Sequence, residues 1–378
     1  MRLTKKIMAM ALASSMVLSM AACGGGSSTA DTTAAPTEAA TTAAEAEDTK
    51  ADSAETTAAE VNEAVEGKDP AEVKVGISIY QFADNFMTLY REELEKYLIE
   101  ELGVKKENIS IMDGKNDQGE QMNQIRNFIT QGCDVMIINL VQASSEPTVT
   151  EECNAAGIPV VYINREPEAE REQAWVDESI KATYVGADAR QSGTFQGEEI
   201  AELENKGDAD GDGVVRYIMV QGDPENVDAQ YRTEFSIQAL TDAGVEVEEL
   251  VKMRGDWDQT KGQEITANAL SQHGAKIDVV FCNNDAMALG ALQAIEAAGR
   301  KVNEDIYLVG VDALVEVVEH VMNDKMTGTV FNDYFGQAHT AADKAMDFVN
   351  GKDVDNVYMV DYVKVTTENA AEILDLIK

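Results

Sequence analysis

The stretch from Asp278 to Gly299, DVVFCNNDAMALGALQAIEAAG, gives the clearest indication of the fold. It begins with a short apolar run, rich in β-branched and aromatic residues, that stops at Asn283, Asn284 and Asp285. Apolar residues then recur at helical spacing as far as the glycine. This pattern predicts a strand, a polar loop and a helix. A strand that is apolar on both faces is typical of a parallel sheet covered by helices, where ligands bind beyond the carboxyl ends of the strands.

Three other apolar runs end in polar side chains in the same way. The run Lys74–Tyr80 leads to a loop with Asp84 and Asn85, the run Val135–Ile138 leads to Asn139, and the run Tyr307–Val311 leads to Asp312. Carboxylates accept hydrogen bonds and amides both donate and accept them, so these side chains suit neutral hydroxyl groups. The strand ends therefore predict a polyol as the ligand.

The N-terminus has the features of an export signal. Basic residues precede the apolar run Ile7–Leu18, which is too short to span a bilayer as a helix. Small residues and Cys23 follow, as at the lipidation site of bacterial lipoproteins. We predict that residues 1–22 are a signal peptide and that Cys23 is lipidated. The alternative is a signal peptide that is cleaved without lipidation.

Residues 23–72 are predicted to be a disordered acidic tether. Most of this stretch is built from Ala, Thr, Glu and Asp, and it contains no aromatic residue, so it cannot bury enough apolar surface to fold. About 300 residues remain from Val73 onward, which is more than one hydrophobic core usually holds. Strands and helices alternate through this part, so we expect an α/β fold with two doubly wound parallel sheets.

Composition excludes several classes of protein. The formal net charge is -39 with Lys and Arg dispersed along the chain, which excludes nucleic-acid binding. Cys133, Cys153 and Cys282 show no CxxC spacing, so they are expected to be buried thiols. Nucleotide-binding and hydrolase motifs are absent from the sequence. The enzymatic alternative is a glycoside hydrolase that uses paired acids such as Asp84 and Asp228.

Several motifs occur in the order found in the periplasmic galactose/glucose-binding proteins, and the chain resembles this family from residue 74 to residue 378. The motifs are IYQFADNFM (79–87), KNDQGEQMNQI (115–125), INLV (138–141), IPVVYINRE (158–166), YVGAD (184–188), NNDAMALGA (283–291), VGVDAL (309–314) and GTVFND (328–333). The resemblance implies a type I periplasmic-binding-protein fold, in which two parallel-sheet lobes are joined by a hinge of three segments.

The resemblance also sets expected lobe boundaries. The N-terminal lobe is expected to comprise residues 73–158 and 333–360, and the C-terminal lobe residues 159–332 and 361–378. The chain would cross between the lobes near 158–160, 332–334 and 360–362. A ligand bound between the lobes would shift the population toward a closed form that a transporter recognises.

The resemblance further implies a monosaccharide site, for D-galactose or D-glucose, between the lobes. Asp84 is expected to bind the C4 hydroxyl, Asn139 the exocyclic hydroxymethyl group, Asp228 and Arg232 the anomeric and ring oxygens, and Asn284, Asp312 and Asn332 the remaining hydroxyls. Phe86 and Trp257 are expected to pack on the two apolar faces of the ring. Asn226 stands where the family has a histidine. A pentose, a deoxy sugar and a methyl glucoside therefore stay open as alternatives.

The segment DADGDG (208–213) is the first half of an EF-hand-type calcium loop. The resemblance implies Ca²⁺ as a structural cofactor. The predicted ligands are Asp208, Asp210, Asp212, Val214 and Asp278. Asp278 is shorter than the Glu of the family, and Arg216 replaces its Gln, so the alternative is a solvated acidic turn.

The implied partner is an ABC sugar permease, served by an extracytoplasmic monomer that contacts the membrane only through its lipid anchor. Repressors of the lactose type share this fold, but they begin with a DNA-binding domain, whereas this chain begins with an export signal and a tether. A sugar sensor for a chemoreceptor stays an alternative, because it needs the same sugar site.

Overall fold

The computed structural model describes residues 67–378, so the predicted signal peptide, Cys23 and most of the predicted tether lie outside the described residues. The last residues of that tether belong to the folded part. Asp69 caps a 3-10 turn over Pro70–Glu72, and Lys68 Nζ lies 2.6 Å from the Asp134 carboxylate. The tether prediction was therefore too long at its C-terminal end.

The first sheet has six parallel strands, with β-branched residues packed under helices. In spatial order they are β11 (Val357–Met359), β5 (Ala182–Gly186), β4 (Val160–Ile163), β3 (Val135–Ile138), β1 (Val75–Ile79) and β2 (Ile109–Asp113). The helices that go with this sheet are α1 (Asn85–Glu100), α2 (Gln118–Gln131), α3 (Glu146–Ala155), α4 (Ala169–Asp177) and α10 (Tyr334–Val349). Every residue of β1, β3, β4 and β5 is buried, as expected for strands covered on both faces.

The second sheet has four parallel strands. In spatial order they are β7 (Val247–Arg254), β6 (Val215–Gln221), β8 (Val279–Cys282) and β9 (Tyr307–Val309). Its helices are α5 (Ala189–Ala201), α6 (Val227–Asp242), α7 (Gln259–His273), α8 (Asp285–Ala297) and α9 (Val315–Met322). A short antiparallel pair, β10 (Thr329–Phe331) and β12 (Val363–Val365), and the last helix α11 (Ala370–Ile377) complete the fold.

The lobe boundary predicted at 158/159 is wrong. Strand β4 pairs with β3 through Val160 opposite Met136, and β5 pairs with β4 through Ala182 opposite Val160, so both strands extend the first sheet. The first passage between the sheets therefore follows Gly186. The chain passes between the sheets again at residues 332–333 and at residues 360–362.

Other features of the described residues bear on the sequence predictions. Cys133, Cys153 and Cys282 are buried and free, as predicted. Within residues 67–378, no helix combines the length and the apolarity needed to cross a bilayer.

Candidate functional site

A cavity lies where the carboxyl ends of strands from both sheets meet. Its lining residues are Tyr80, Asp84, Phe86, Met87, Asn164, Arg165, Asn226, Asp228, Arg232, Trp257, Asn284, Asp312 and Asn332. The structure thus brings together every predicted ligand-binding residue except Asn139. Their contact with a ligand stays a prediction.

Asn139 is completely buried behind the cavity and does not line it. Asn139 follows β3, which lies between β1 and β4, and its side-chain amide forms hydrogen bonds at the ends of both neighbouring strands. The side-chain oxygen accepts from Tyr80 N at 3.2 Å, and the nitrogen donates to Ile163 O at 3.2 Å and to Asn164 Oδ1 at 3.1 Å. The contact of Asn139 with a hydroxymethyl group stays a prediction; in this structure its amide nitrogen donates to Asn164, which lines the cavity.

Four lining residues were missed from the sequence. Asn164 and Arg165 directly follow β4, so the strand-end pattern that predicted Asp84, Asn284 and Asp312 also marks them. Tyr80 and Met87 are apolar or aromatic residues next to Asp84 and Phe86, and no sequence pattern separates them from the core.

Two asparagines of the site have a fixed amide orientation because they cap helices. Asn226 Oδ1 accepts from Asp228 N at 3.0 Å at the start of α6, and Asn284 Oδ1 accepts from Met287 N at 3.0 Å at the start of α8. A backbone N–H can only donate, so the capping atom must be the amide oxygen. Each side chain therefore has its NH₂ group left for a ligand.

The other two asparagines are oriented by side chains. Asn164 Oδ1 accepts from Asn139, and Asn332 Oδ1 accepts from Gln337 Nε2 at 2.6 Å. All four asparagines of the cavity have their oxygens engaged. The Nδ2 of Asn332 donates to Asp312 Oδ1 at 3.3 Å, and the remaining amide N–H groups are available as donors to a ligand. The side chains that offer carboxyl oxygens as acceptors are those of Asp84, Asp228 and Asp312. This division suits a ligand whose hydroxyl groups both donate and accept.

Asp228 and Arg232 lie one turn apart on α6, and both are almost completely buried. Arg232 Nη1 donates to Asn283 O at 2.8 Å, and its Nη2 donates to Tyr362 OH at 2.9 Å and lies 3.8 Å from Asp228 Oδ2. Arg232 Nε and Asp228 Oδ1 are buried without a hydrogen-bond partner. Because buried polar atoms in native proteins are nearly always paired, these two atoms mark a place for a polar ligand group.

Burial affects the ionisation of two carboxyl groups of the cavity, those of Asp228 and Asp312. It raises the pKa of Asp228, an effect that Arg232 and Arg165 oppose, and it raises the pKa of Asp312 well above the usual range. Burial also raises the pKa of Asp285 to about 7. Asp285 does not line the cavity. It accepts from Thr329 Oγ1 at 2.7 Å and from Leu314 N at 2.8 Å, and so fixes the loop that carries Asp312.

Phe86 and Trp257 supply the aromatic surfaces of the cavity, and they come from α1 and from the loop after β7. Gly222 permits this position of Trp257, because a Cβ atom at Gly222 would lie 2.3 Å from the indole ring. Trp257, Asp312 and Asn164 all have positive φ, at 63°, 121° and 63°. Such backbone conformations are costly for residues other than glycine and cluster at functional sites.

Comparison with known proteins is consistent with this geometry. Residues 75–353 match the periplasmic binding protein domain. The chain belongs to the periplasmic binding protein family. It is 32% identical over 317 residues to the D-galactose/methyl-galactoside binding periplasmic protein of Haemophilus influenzae, covering 80% of this chain and 92% of that protein. It is also 32% identical to a putative rhizopine-binding protein of Rhizobium meliloti, covering 79% of this chain and 91% of that protein.

The solved structures extend the comparison to the fold. An ABC transporter solute-binding protein from Bacillus halodurans, with bound myo-inositol, superposes with a TM-score of 0.70. It is 30% identical, and the match covers 81% of this chain and 99% of that one. The predicted type I fold with two lobes is confirmed. The relatives bind solutes rather than catalyse reactions, so this member of the family is an extracytoplasmic binding protein and not an enzyme.

Proposed function

We propose that the protein binds a monosaccharide, D-galactose or D-glucose, outside the cytoplasm and delivers it to an ABC sugar permease. The observation that carries this proposal is the composition of the cavity. Two aromatic side chains are available for the faces of a ring, and amide donors, two arginines and three carboxylates are available for its rim. A pyranose has apolar faces and a rim of hydroxyl groups, so it needs this combination. The galactoside-binding relative supports a hexose.

A cyclitol is the second candidate, because the Bacillus halodurans protein holds myo-inositol and nearly all of that chain is matched. A cyclitol has a hydroxyl on every ring carbon and no ring oxygen. It would satisfy the three carboxylates as well as a hexose does. Asn226, which offers an amide NH₂ rather than an imidazole, fits either ring.

A thermal-shift screen followed by titration calorimetry tests the proposal. The panel is D-glucose, D-galactose, myo-inositol, D-xylose and a methyl glucoside. A ligand that binds only the folded state stabilises it by about 2.7 kcal/mol at a hundred times its Kd, so the hexoses are expected to raise the melting temperature. Tight binding of xylose or myo-inositol without hexose binding would replace the hexose assignment. Turnover of nitrophenyl hexosides would contradict the role as a binder.

We further propose that Cys23 carries the lipid anchor and that the protein acts as a monomer, either for transport alone or also for a chemoreceptor. A Cys23→Ala variant should then be found outside the membrane fraction. Recovery of that variant with the membranes would contradict the anchor.

We also propose that the acidic loop binds Ca²⁺. Asp208, Asp210 and Asp278 each bring a carboxylate oxygen within 4.8 Å of the others, which suits a cation that prefers oxygen ligands. Asp212 is diverted from this group, because Arg216 Nη1 lies 2.7 Å from its carboxylate and 4.0 Å from that of Asp210. The predicted participation of Asp212 is thus weakened, and no contact in the structure supports that of Val214.

The expected consequence is a calcium-dependent melting temperature. Chelator should lower it and added Ca²⁺ should restore it, because the ion binds only the folded loop. The Asp210→Ala variant should be insensitive to both, with Asp375→Ala on α11 as a control for the loss of an exposed carboxylate elsewhere. A wild-type melting temperature that neither chelator nor Ca²⁺ changes would leave Arg216 as the only cation of this loop.

A further inference from the structure

Tyr362 lies in the last passage between the two sheets and is almost completely buried. Its ring belongs to a small apolar cluster with Ala187, Val311 and Val330. Ala187 lies in the first passage, and Val330 is in β10, just before the second passage. The ring of Tyr362 therefore packs where the segments that join the sheets come together.

The polar atoms of Tyr362 reach the second sheet. Its backbone N donates to Gln191 Oε1 on α5 at 2.7 Å, and its hydroxyl accepts from Arg232 Nη2 at 2.9 Å. Arg232 lines the cavity, whereas Tyr362 does not. One side chain thus connects the hinge to a charged group of the candidate sugar site.

We propose that Tyr362 is a positioning residue, which holds the guanidinium of Arg232 in the orientation that presents its Nε to the ligand. This inference rests on the proposed sugar-binding function. The guanidinium plane is fixed at two points, by Asn283 O on Nη1 and by Tyr362 OH on Nη2. Without the hydroxyl, one fixed contact is left, and the plane can turn about it. The direction in which Arg232 Nε points then depends on the hinge segment that carries Tyr362.

The nearest charged group does not replace this contact. Asp228 lies 3.8 Å from Arg232 Nη2, which is too far for a hydrogen bond, and its Oδ1 lacks a partner. The ion pair therefore attracts Arg232 without orienting it. The guanidinium of Arg232 is oriented by Asn283 O and by the hydroxyl of Tyr362. A substitution can remove only the hydroxyl, because the other acceptor is a backbone carbonyl.

The test is the Tyr362→Phe variant, which keeps the ring in its apolar cluster and removes the hydroxyl alone. We expect its affinity for the sugar of the panel that binds best to fall about tenfold or more, as for loss of a hydrogen bond to a charged group. The matched control is Tyr162→Phe. Tyr162 is buried, its hydroxyl lies 2.7 Å from Thr150 Oγ1, and it is absent from the cavity lining. That control should lose stability and keep its affinity.

A double-mutant cycle shows whether the effect passes through Arg232. In an Arg232→Lys background, Tyr362→Phe should change affinity less than about twofold, because a lysine has no guanidinium plane to orient. Unchanged affinity in Tyr362→Phe would overturn the proposal, as would an equal loss in the lysine background. If the lysine variant binds too weakly to titrate, the comparison with Tyr162→Phe decides. A wild-type protein that binds no sugar or cyclitol of the panel would refute the proposed function itself.

Discussion

Replacement of Arg232 by alanine is expected to reduce sugar affinity by about 100- to 1,000-fold, while the melting temperature of the sugar-free protein changes little. Arg232 is 3% exposed, and its removal leaves Asp228 with no cation on its own helix. Breaking a buried ion pair costs about 3 to 5 kcal/mol when the remaining charge stays dry, and far less when water reaches it. The family resemblance implies an open form without sugar, in which water reaches the cavity, so the penalty should fall on the closed, sugar-bound form.

Arg190→Ala is the matched control for this experiment. Arg190 lies on α5, is about 39% exposed, pairs with Asp188 at 2.8 Å and is not part of the cavity lining. Its loss should leave the affinity within about twofold, since exposed ion pairs contribute little. Calorimetry and thermal melts of both variants distinguish a binding role of Arg232 from a structural role. An Arg232→Ala protein that is unfolded without sugar would make Arg232 structural, and one with normal affinity would place it outside the site.

The sequence predicted part of the site from one physical rule. Parallel strands bring their carboxyl ends to one edge, so the polar residues after β8 and β9 had to lie near one another. Asn284 and Asp312 are those residues, and both line the cavity. Asn226 and Asn332 were expected from the family resemblance, and they also line it.

Strand order was needed to separate Asn139 from Asn164. Both asparagines follow a short apolar strand, and neither local sequence shows which amide faces the cavity. The difference arises because β3 lies between β1 and β4. The amide of Asn139 forms hydrogen bonds with a backbone N–H at the end of β1 and with a backbone carbonyl at the end of β4. A fully apolar strand such as β4 carries no mark of its neighbours, so its sheet could not be assigned from the residues alone.

Hydrogen-bond direction was also beyond the sequence. Asn226 and Asn284 could be recognised as polar residues at helix starts, but an amide can both donate and accept. The backbone N–H groups of Asp228 and Met287 come within hydrogen-bond distance of these oxygens only once α6 and α8 have formed. The structure therefore shows which atoms of the site can donate hydrogen bonds and which can accept them. The three carboxyl groups are the principal acceptors for a ligand.

Trp257→Ala is expected to weaken sugar binding by about 2 to 4 kcal/mol, the range for a central aromatic contact, and to leave the fold intact. The residue lies in a loop after β7 and is half-buried, so little of the core depends on it. The chain has two tryptophans, and Trp175 is buried against Tyr162 in the first sheet, with ring centroids 5.4 Å apart. Trp175→Phe is therefore the control, which should keep the affinity.

The same pair of tryptophans provides an optical measurement. A sugar that packs on Trp257 changes the surroundings of its indole, whereas the indole of Trp175 stays in the core. The sugar-induced change in intrinsic fluorescence should persist in Trp175→Phe and disappear in Trp257→Phe. If the signal instead follows Trp175, or if Trp257→Ala binds sugar with normal affinity, the ring of the ligand does not stack on Trp257. The aromatic face of the site would then be reduced to Phe86, and a flat polyol ring would lose its main support.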